Sequence, residues 1–197
     1  TPGNVFSYPD YSELRDQNQT LDGLIAWGGI GVSLNSNDQT DLVTGAIVTG
    51  NYFQVLGVGA AKGRTITPED DKTPGAHPVL MISHRIWQSR FGGDQNIVGK
   101  QLLVNGNNFN IIGVAPKDFN GAEWGVVRDL YIPMMMQAIV RPPRGGYSGE
   151  MDPDLLKKRS NRWLSSVGRL KQGVSAEQAQ ADLAIIASRQ AEAYPDT

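Results

Sequence analysis

The run "GVGAAKGRT", Gly57 to Thr65, brings three glycines, a lysine, an arginine and a threonine into nine residues. That is the raw material of a phosphate-binding loop, in which backbone amides cradle the phosphates, a lysine reaches the outer ones and a hydroxyl holds magnesium. The order of the residues defeats this reading. A Walker loop, G-x-x-x-x-G-K-[ST], needs its lysine directly after a glycine, and Lys62 stands before Gly63. The dinucleotide pattern G-x-G-x-x-G fails too, because Lys62 takes the place of the third glycine. A phosphate loop also follows a strand and opens a helix, whereas this run follows a short helical pattern, "NYFQVLG", and leads into "TPEDD". The glycines read instead as a turn with Gly57 as a helix C-cap, and Lys62 and Arg64 as solvated or paired with "PEDD".

Other reactive side chains are scattered. His77 and His84 are the only histidines, seven residues apart across "PVLMIS", which is not the i, i+4 spacing of a helical metal pair. A metal-dependent hydrolase would need Glu69, Asp70 or Asp71 to fold back onto them. The same three carboxylates lack the alternating oxygens and turn glycine of a calcium loop, and read as caps of a turn. No serine stands in a nucleophile elbow; Ser148 in "GGYSGE" comes nearest and lacks the leading glycine. Trp27, Trp87, Trp124 and Trp163 could form a stacking platform for a sugar or peptide, but indoles so widely spaced are usually packing residues. Met134, Met135 and Met136 cannot all point inward from one strand, so one of them is expected on a plastic contact surface. No residue is assigned as catalytic, cofactor-binding or metal-ligating.

Composition narrows the class. The chain has 197 residues, 40% of them hydrophobic and 19% charged, and a net charge of −2. That is a globular composition, with no charge run to attract nucleic acid. The absence of cysteine excludes disulfides and thiolate chemistry. The longest apolar runs, such as "LAIIA" at 183–187, are far shorter than the roughly 20 residues of a membrane-spanning helix. With Thr1 in place of an initiator methionine and an end soon after a helical pattern, the chain is expected to be cut from a longer one.

The elements that would carry these side chains follow from local signals. Ser7 caps a helix over "YPDYSELRDQ", with Asp10 three residues on and Phe6 stapling against Tyr11. "LDGLIAWGGIGVSLN" and "TDLVTGAIVTG" flank a polar turn as a hairpin, where Gly28, Gly29 and Gly31 suggest a bulge or a close backbone approach. "PVLMIS" predicts a buried strand and "HRIWQSRFGG" a helix stopped by glycine. "KQLLVNGNNFNIIGVAP" predicts a hairpin turning at Asn105-Gly106. "RDLYIP" is a further strand, and the prolines and glycines of "RPPRGGYSGEMDPD" mark a long loop. The strand "RWLSSVGRL" then leads to a helix from Ser175 with Gln178 completing a capping box and Ala179, Leu183, Ile186 and Gln190 on one face. Strands with interspersed helices, without strict alternation, predict an α+β fold.

Several segments together resemble the extracytoplasmic domain of MacB-type ABC transporter permeases, and more closely the type described as acidobacterial duplicated orphan permeases. They are "SYPDYSELRDQN" at 7–18, "VTGNYFQVLGVGAAKGRTITPEDD" at 48–71, "HPVLMISHRIWQSRFGGD" at 77–94, "IVGKQLLVNGNNFNIIGVAPKDFNG" at 97–121 and "DLYIPMMMQ" at 129–137. They cover more than half the chain in the family's order. The resemblance implies a Porter-like α/β subdomain, split between residues 1–50 and 128–197, and an inserted smaller mixed α/β subdomain called Sabre over 51–127.

Functionally it implies a noncatalytic domain without cofactors, hung outside the inner membrane between two transmembrane helices and coupling their motion to export or efflux. The expected partners are the flanking helices of the same permease, a second permease copy, a cytoplasmic ATPase and a periplasmic adaptor. The glycine-rich first hairpin and the insertion at 141–162 depart from the best-known members. Against this stand two rival expectations: a small metal-dependent hydrolase using His77 and His84, and a sugar- or peptide-binding extracytoplasmic module using exposed tryptophans.

Overall fold

A computed structural model of the chain describes residues 5–36, 39–141 and 154–195. The chain forms two compact units, one from Thr1–Ala26 with Asp154–Thr197 and the other from Trp27–Pro153. We call them the terminal and the central unit. The compact units divide the chain at other places than the subdomain limits expected at 50/51 and 127/128. Strand pairing runs across the expected limits: β7 (Leu130–Pro133) pairs with residues 81–82, and residues 34–35 pair with 103–104, while β2 (Gln39–Val48) lies beside β7.

The central unit is built on strands. The strand β1 (Leu21–Ser36) starts in the terminal unit and its residues from Trp27 onward pair antiparallel with β2, in unbroken register from Trp27–Val48 to Ser36–Gln39. The register leaves no room for the bulge that the glycines suggested. The close approach is real: a Cβ on Gly29 would sit 2.9 Å from the Arg128 guanidinium nitrogens. β2 pairs parallel with β7, β7 antiparallel with β4 (Val79–Ile82), and β4 parallel with β6 (Asn107–Val114). β6 pairs antiparallel with β5 (Gln101–Val104), and β5 returns to β1 at Leu34–Val104. The strand order thus closes on itself, which removes most free edges. The β5–β6 turn is the predicted one, with Asn105 at φ 48° and Gly106 at φ 79°, the pair of left-handed residues that a two-residue hairpin turn requires.

Helix α2 (Tyr52–Leu56) ends on Gly57 in the left-handed conformation, and α3 (His84–Phe91) starts on the Ser83 side chain and ends on left-handed Gly92. Trp27, Tyr52, Phe53, Phe119 and Tyr131 stack edge-on or tilted, with ring centroids 5.3–6.5 Å apart, and form the aromatic heart of this unit. The three methionines are all buried, at 0%, 8% and 1% exposure. No contact surface is made from them, because they form a 3-10 turn after β7 instead of continuing the strand, so their side chains fan out into the core. The turn leads into α4 (Gln137–Val140).

The terminal unit holds helix α1 (Tyr8–Gln17), the first residues of β1, strand β8 (Ser165–Leu170) and helix α5 (Ala176–Ala193). The predicted caps are present: Ser7 accepts from the Asp10 amide, and Ser175 and Gln178 form the capping box. β8 neighbours β1 and ends the strand order. Phe6 and Leu164 pair in both directions, at 2.8 and 3.0 Å. Ala179 and Ile186 face inward from α5 as expected. Arg159 ties the unit together: it binds Asp10 at 2.6 Å, pairs with Glu13, and lies 3.7 Å over the Tyr194 ring.

Candidate functional site

The glycine-rich run is structural. Lys62–Gly63 is a two-residue strand, β3, paired antiparallel with Gly113 and Val114 of β6. Gly63 sits at φ 69°, and a Cβ there would lie 2.2 Å from the Ile112 carbonyl oxygen; one on Gly113 would lie 2.2 Å from the Arg64 carbonyl oxygen. Two backbones in contact need both glycines. The Lys62 ammonium lies 5.7 Å from the Trp87 ring centre, a cation–π distance. Arg64 grips Asp70 through two bonds of 2.6 and 2.8 Å, as the pairing with "PEDD" foresaw.

The acidic residues hold backbone. Asp70 accepts the Thr67 amide at 2.9 Å and closes a capping box on the 3-10 turn Pro68–Asp71. Burial raises its pKa, but the Arg64 and Thr67 bonds outweigh burial and hold it below the ordinary value of 3.8. Asp71 accepts the Gly50 amide at 2.8 Å and the Met135 amide at 2.7 Å. His77 is exposed, its carbonyl turning back to the Val79 amide at 2.8 Å. His84 opens α3 with its ring edge-on to Trp87 at 5.3 Å. Among the described residues no three histidine or carboxylate side chains converge as a metal site would require. Ser148 lies outside the described residues.

The tryptophans do not form a platform. Trp27 and Trp87 are buried, Trp163 half-buried, and Trp124 fully exposed at 101%. Tyr52 accepts the Ala122 amide at 2.8 Å, and burial pushes its phenol up to about 12.

Two hollows remain. One, of about 640 Å³, lies in the terminal unit and is lined mainly by apolar residues, including Phe6, Leu14, Leu21, Leu24 and Leu183. The other, of about 980 Å³, lies in the central unit between residues 41–44 of β2 and Arg85, Ile86 and Arg90 of α3, with Val127 and Asp129. Its charges are already paired: Arg85 with buried Asp129, and Arg90 with Asp41 at 2.7 Å. Arg90 also donates to the Leu34 carbonyl at 3.3 Å. Sequence reading missed these pairs, whose partners stand 44 and 49 residues apart; only the three-dimensional ladder brings them together. The arrangement holds a surface in shape through paired charges.

The fold is that of extracytoplasmic transporter domains. The periplasmic region of MacB from Actinobacillus actinomycetemcomitans superposes with a TM-score of 0.68 at 15% identity, over 95% of this chain and 75% of that one. The extracellular domain of the noncanonic ABC-type transporter YknZ from Gram-positive bacteria gives 0.62 at 18%, over 98% of this chain and 87% of that one. No curated protein is significantly similar in sequence. The profile of the MacB-like periplasmic core domain matches residues 1–186, and the chain belongs to that family, the periplasmic domain of ABC transporter permeases. Among the described residues no helix is long and apolar enough to cross a membrane.

Proposed function

We propose that this domain transmits motion of transmembrane helices to export or efflux on the far side of the membrane and performs no chemistry of its own. The observation that carries the reading is that both ends of the chain belong to one unit. Gln190, in the last turn of α5, donates to the Asp10 carbonyl at 3.2 Å and to Glu13 at 3.1 Å in α1. A domain inserted between two membrane helices needs its ends together, and this network ties them so that a pull on one is felt by the other. In this reading residues 1–50 and 128–197 form the Porter-like part and residues 51–127 the inserted Sabre-like part. The permease is of the acidobacterial duplicated orphan type, anchored in the inner membrane. It works with a second copy of itself, a cytoplasmic ATPase and a periplasmic adaptor.

The test has two parts. The parent gene is expected to encode a hydrophobic helix just before Thr1 and several after Thr197; soluble flanks on both sides would end the proposal. In the reconstituted permease, deleting this domain is expected to leave ATP hydrolysis measurable and to abolish export. Export that survives the deletion would remove the coupling role.

A further inference from the structure

We infer that the groove between β2 and α3, with the Trp124 turn beside it, is a docking site for an extended, uncharged segment of a partner polypeptide. The first reason is an open strand edge. In an antiparallel ladder the N–H and C=O of one residue point to the same side. Ser33, opposite Leu42, exchanges bonds with Asn105, at 2.8 Å from its amide and 3.0 Å to its carbonyl, and so faces away from β2. Its partner Leu42 must therefore turn its own main-chain groups away from β1. Two residues on, Thr44 does the same and is satisfied, its carbonyl accepting the Asp129 amide at 2.7 Å and its amide reaching the Asp129 carboxylate at 3.3 Å. Leu42 has no such partner among the described residues, and it lines the groove. Main-chain groups left open on a strand edge are matched by another extended backbone.

The second reason is the apolar surface around that edge. Leu42 is 83% exposed and Val127 47%. They are neighbours, because the chain at 127–129 runs beside 42–44, with the Thr44 hydroxyl donating to the Val127 carbonyl at 2.8 Å. Trp124 stands three residues before Val127 in a turn that is pinned on both sides. Ala122 donates to the Tyr52 hydroxyl, Val126 to the Glu123 carbonyl at 3.4 Å, and Glu123 pairs with Arg128. A turn already fixed has little backbone freedom left to lose on binding, and tryptophan is among the residues enriched at interface hot spots.

The third reason selects the occupant. Each charge facing the groove already has its partner, Arg85 with Asp129 and Arg90 with Asp41, so an anionic headgroup or a nucleic acid would have to break a pair, whereas a neutral polypeptide would not. This site goes beyond the coupling role and does not depend on it, since binding is read on the purified chain.

The probe is a phage-displayed library of random short peptides panned on the purified chain, with the Trp124→Ala variant as counter-target. Selected peptides are expected to be rich in apolar residues and to lose about tenfold or more in affinity on Trp124→Ala. Leu42→Pro, which deletes an N–H that β1 does not use, is expected to weaken them further than Leu42→Ala, by about fivefold. In the complex the Leu42 amide exchanges more slowly with solvent. Should Leu42→Pro fail to fold, Trp124→Ala and the exchange of Leu42 in the unaltered chain decide the matter, because a fully exposed indole contributes nothing to folding. Peptides that bind both forms alike, or that leave the Leu42 amide unprotected, would overturn the inference. So would a selection that yields none while phosphatidylglycerol vesicles shift the tryptophan fluorescence of the unaltered chain but not of Trp124→Ala, which would assign the patch to a membrane.

Discussion

In the central unit every residue of β7, Leu130 to Pro133, is buried, while in the terminal unit only Ser166 of the six residues of β8 is even partly shielded. The two strands differ in their neighbours. β7 has a strand on each side, β2 and β4, whereas β8 has β1 alone and ends the strand order. A strand needs more than one partner before its faces and edges are covered. The contrast continues in the helices: α5 is eighteen residues long yet buries only Ala179 and Ile186. The central unit therefore rests on strands covered on both sides, while the terminal unit adds to a smaller apolar core, with Tyr11, Ile25 and Leu164 buried, the polar ties of Arg159.

The largest effect is expected where packing rules. Phe53 is fully buried and lies edge-on to Tyr52 and Tyr131, both at 5.3 Å, so Phe53→Ala should cost about 3–5 kcal/mol in urea unfolding. A loss below about 1 kcal/mol would mean that the aromatic heart is not what holds the central unit. Next comes the tie in the terminal unit. Arg159→Ala removes two ion pairs and a ring contact at a side chain only 13% exposed. The partly open carboxylates reduce the cost of a fully buried pair to about 1–3 kcal/mol. Amide exchange should quicken in α1 and α5 and stay unchanged in β4 and β7; equal quickening everywhere would erase the distinction between the units.

Asp70→Asn in the central unit should cost about 1–2 kcal/mol at neutral pH, toward the lower figure because Arg64 is half-exposed. Its pH dependence has a definite sign. The folded carboxyl titrates below the ordinary value of 3.8, so the stability it confers is complete above that pH and disappears as the pH falls through the lower, folded value. The gap between parent and variant should close in acid unfolding curves below pH 3.8, and a gap that widened there would reverse the assignment. Smallest is Ser175→Ala, which removes one half of the capping box on α5 at about 0.5–1 kcal/mol. The loss should be confined to exchange in the first turn of that helix, which has little packing to spread it.

Where the signal was local, the sequence was sufficient. The Ser7 and Ser175 caps, the glycine stops at Gly57 and Gly92 and the Asn105-Gly106 turn each depend on residues within four positions of one another, and each is present. Long-range geometry was not legible. Gly29 gives way to a guanidinium from Arg128, ninety-nine positions away in the chain, and nothing in "WGGIG" names that visitor. The methionine triplet misled because alternation presumes a strand, and the backbone leaves the strand at Pro133. The parallel pairing of β2 with β7 has no turn to announce it. The groove by α3 escaped notice for the same reason, since its two ion pairs and its open edge come from three separate stretches.

The facing glycines of β3 and β6 carry a consequence for genetics. A side chain at Gly63 would strike the main-chain oxygen of Ile112, and one at Gly113 that of Arg64. Each obstacle is backbone, which no substitution elsewhere can shorten. Random mutagenesis selecting for revertants of a Gly63→Ala or Gly113→Ala lesion should therefore return the original glycine and no second-site suppressors.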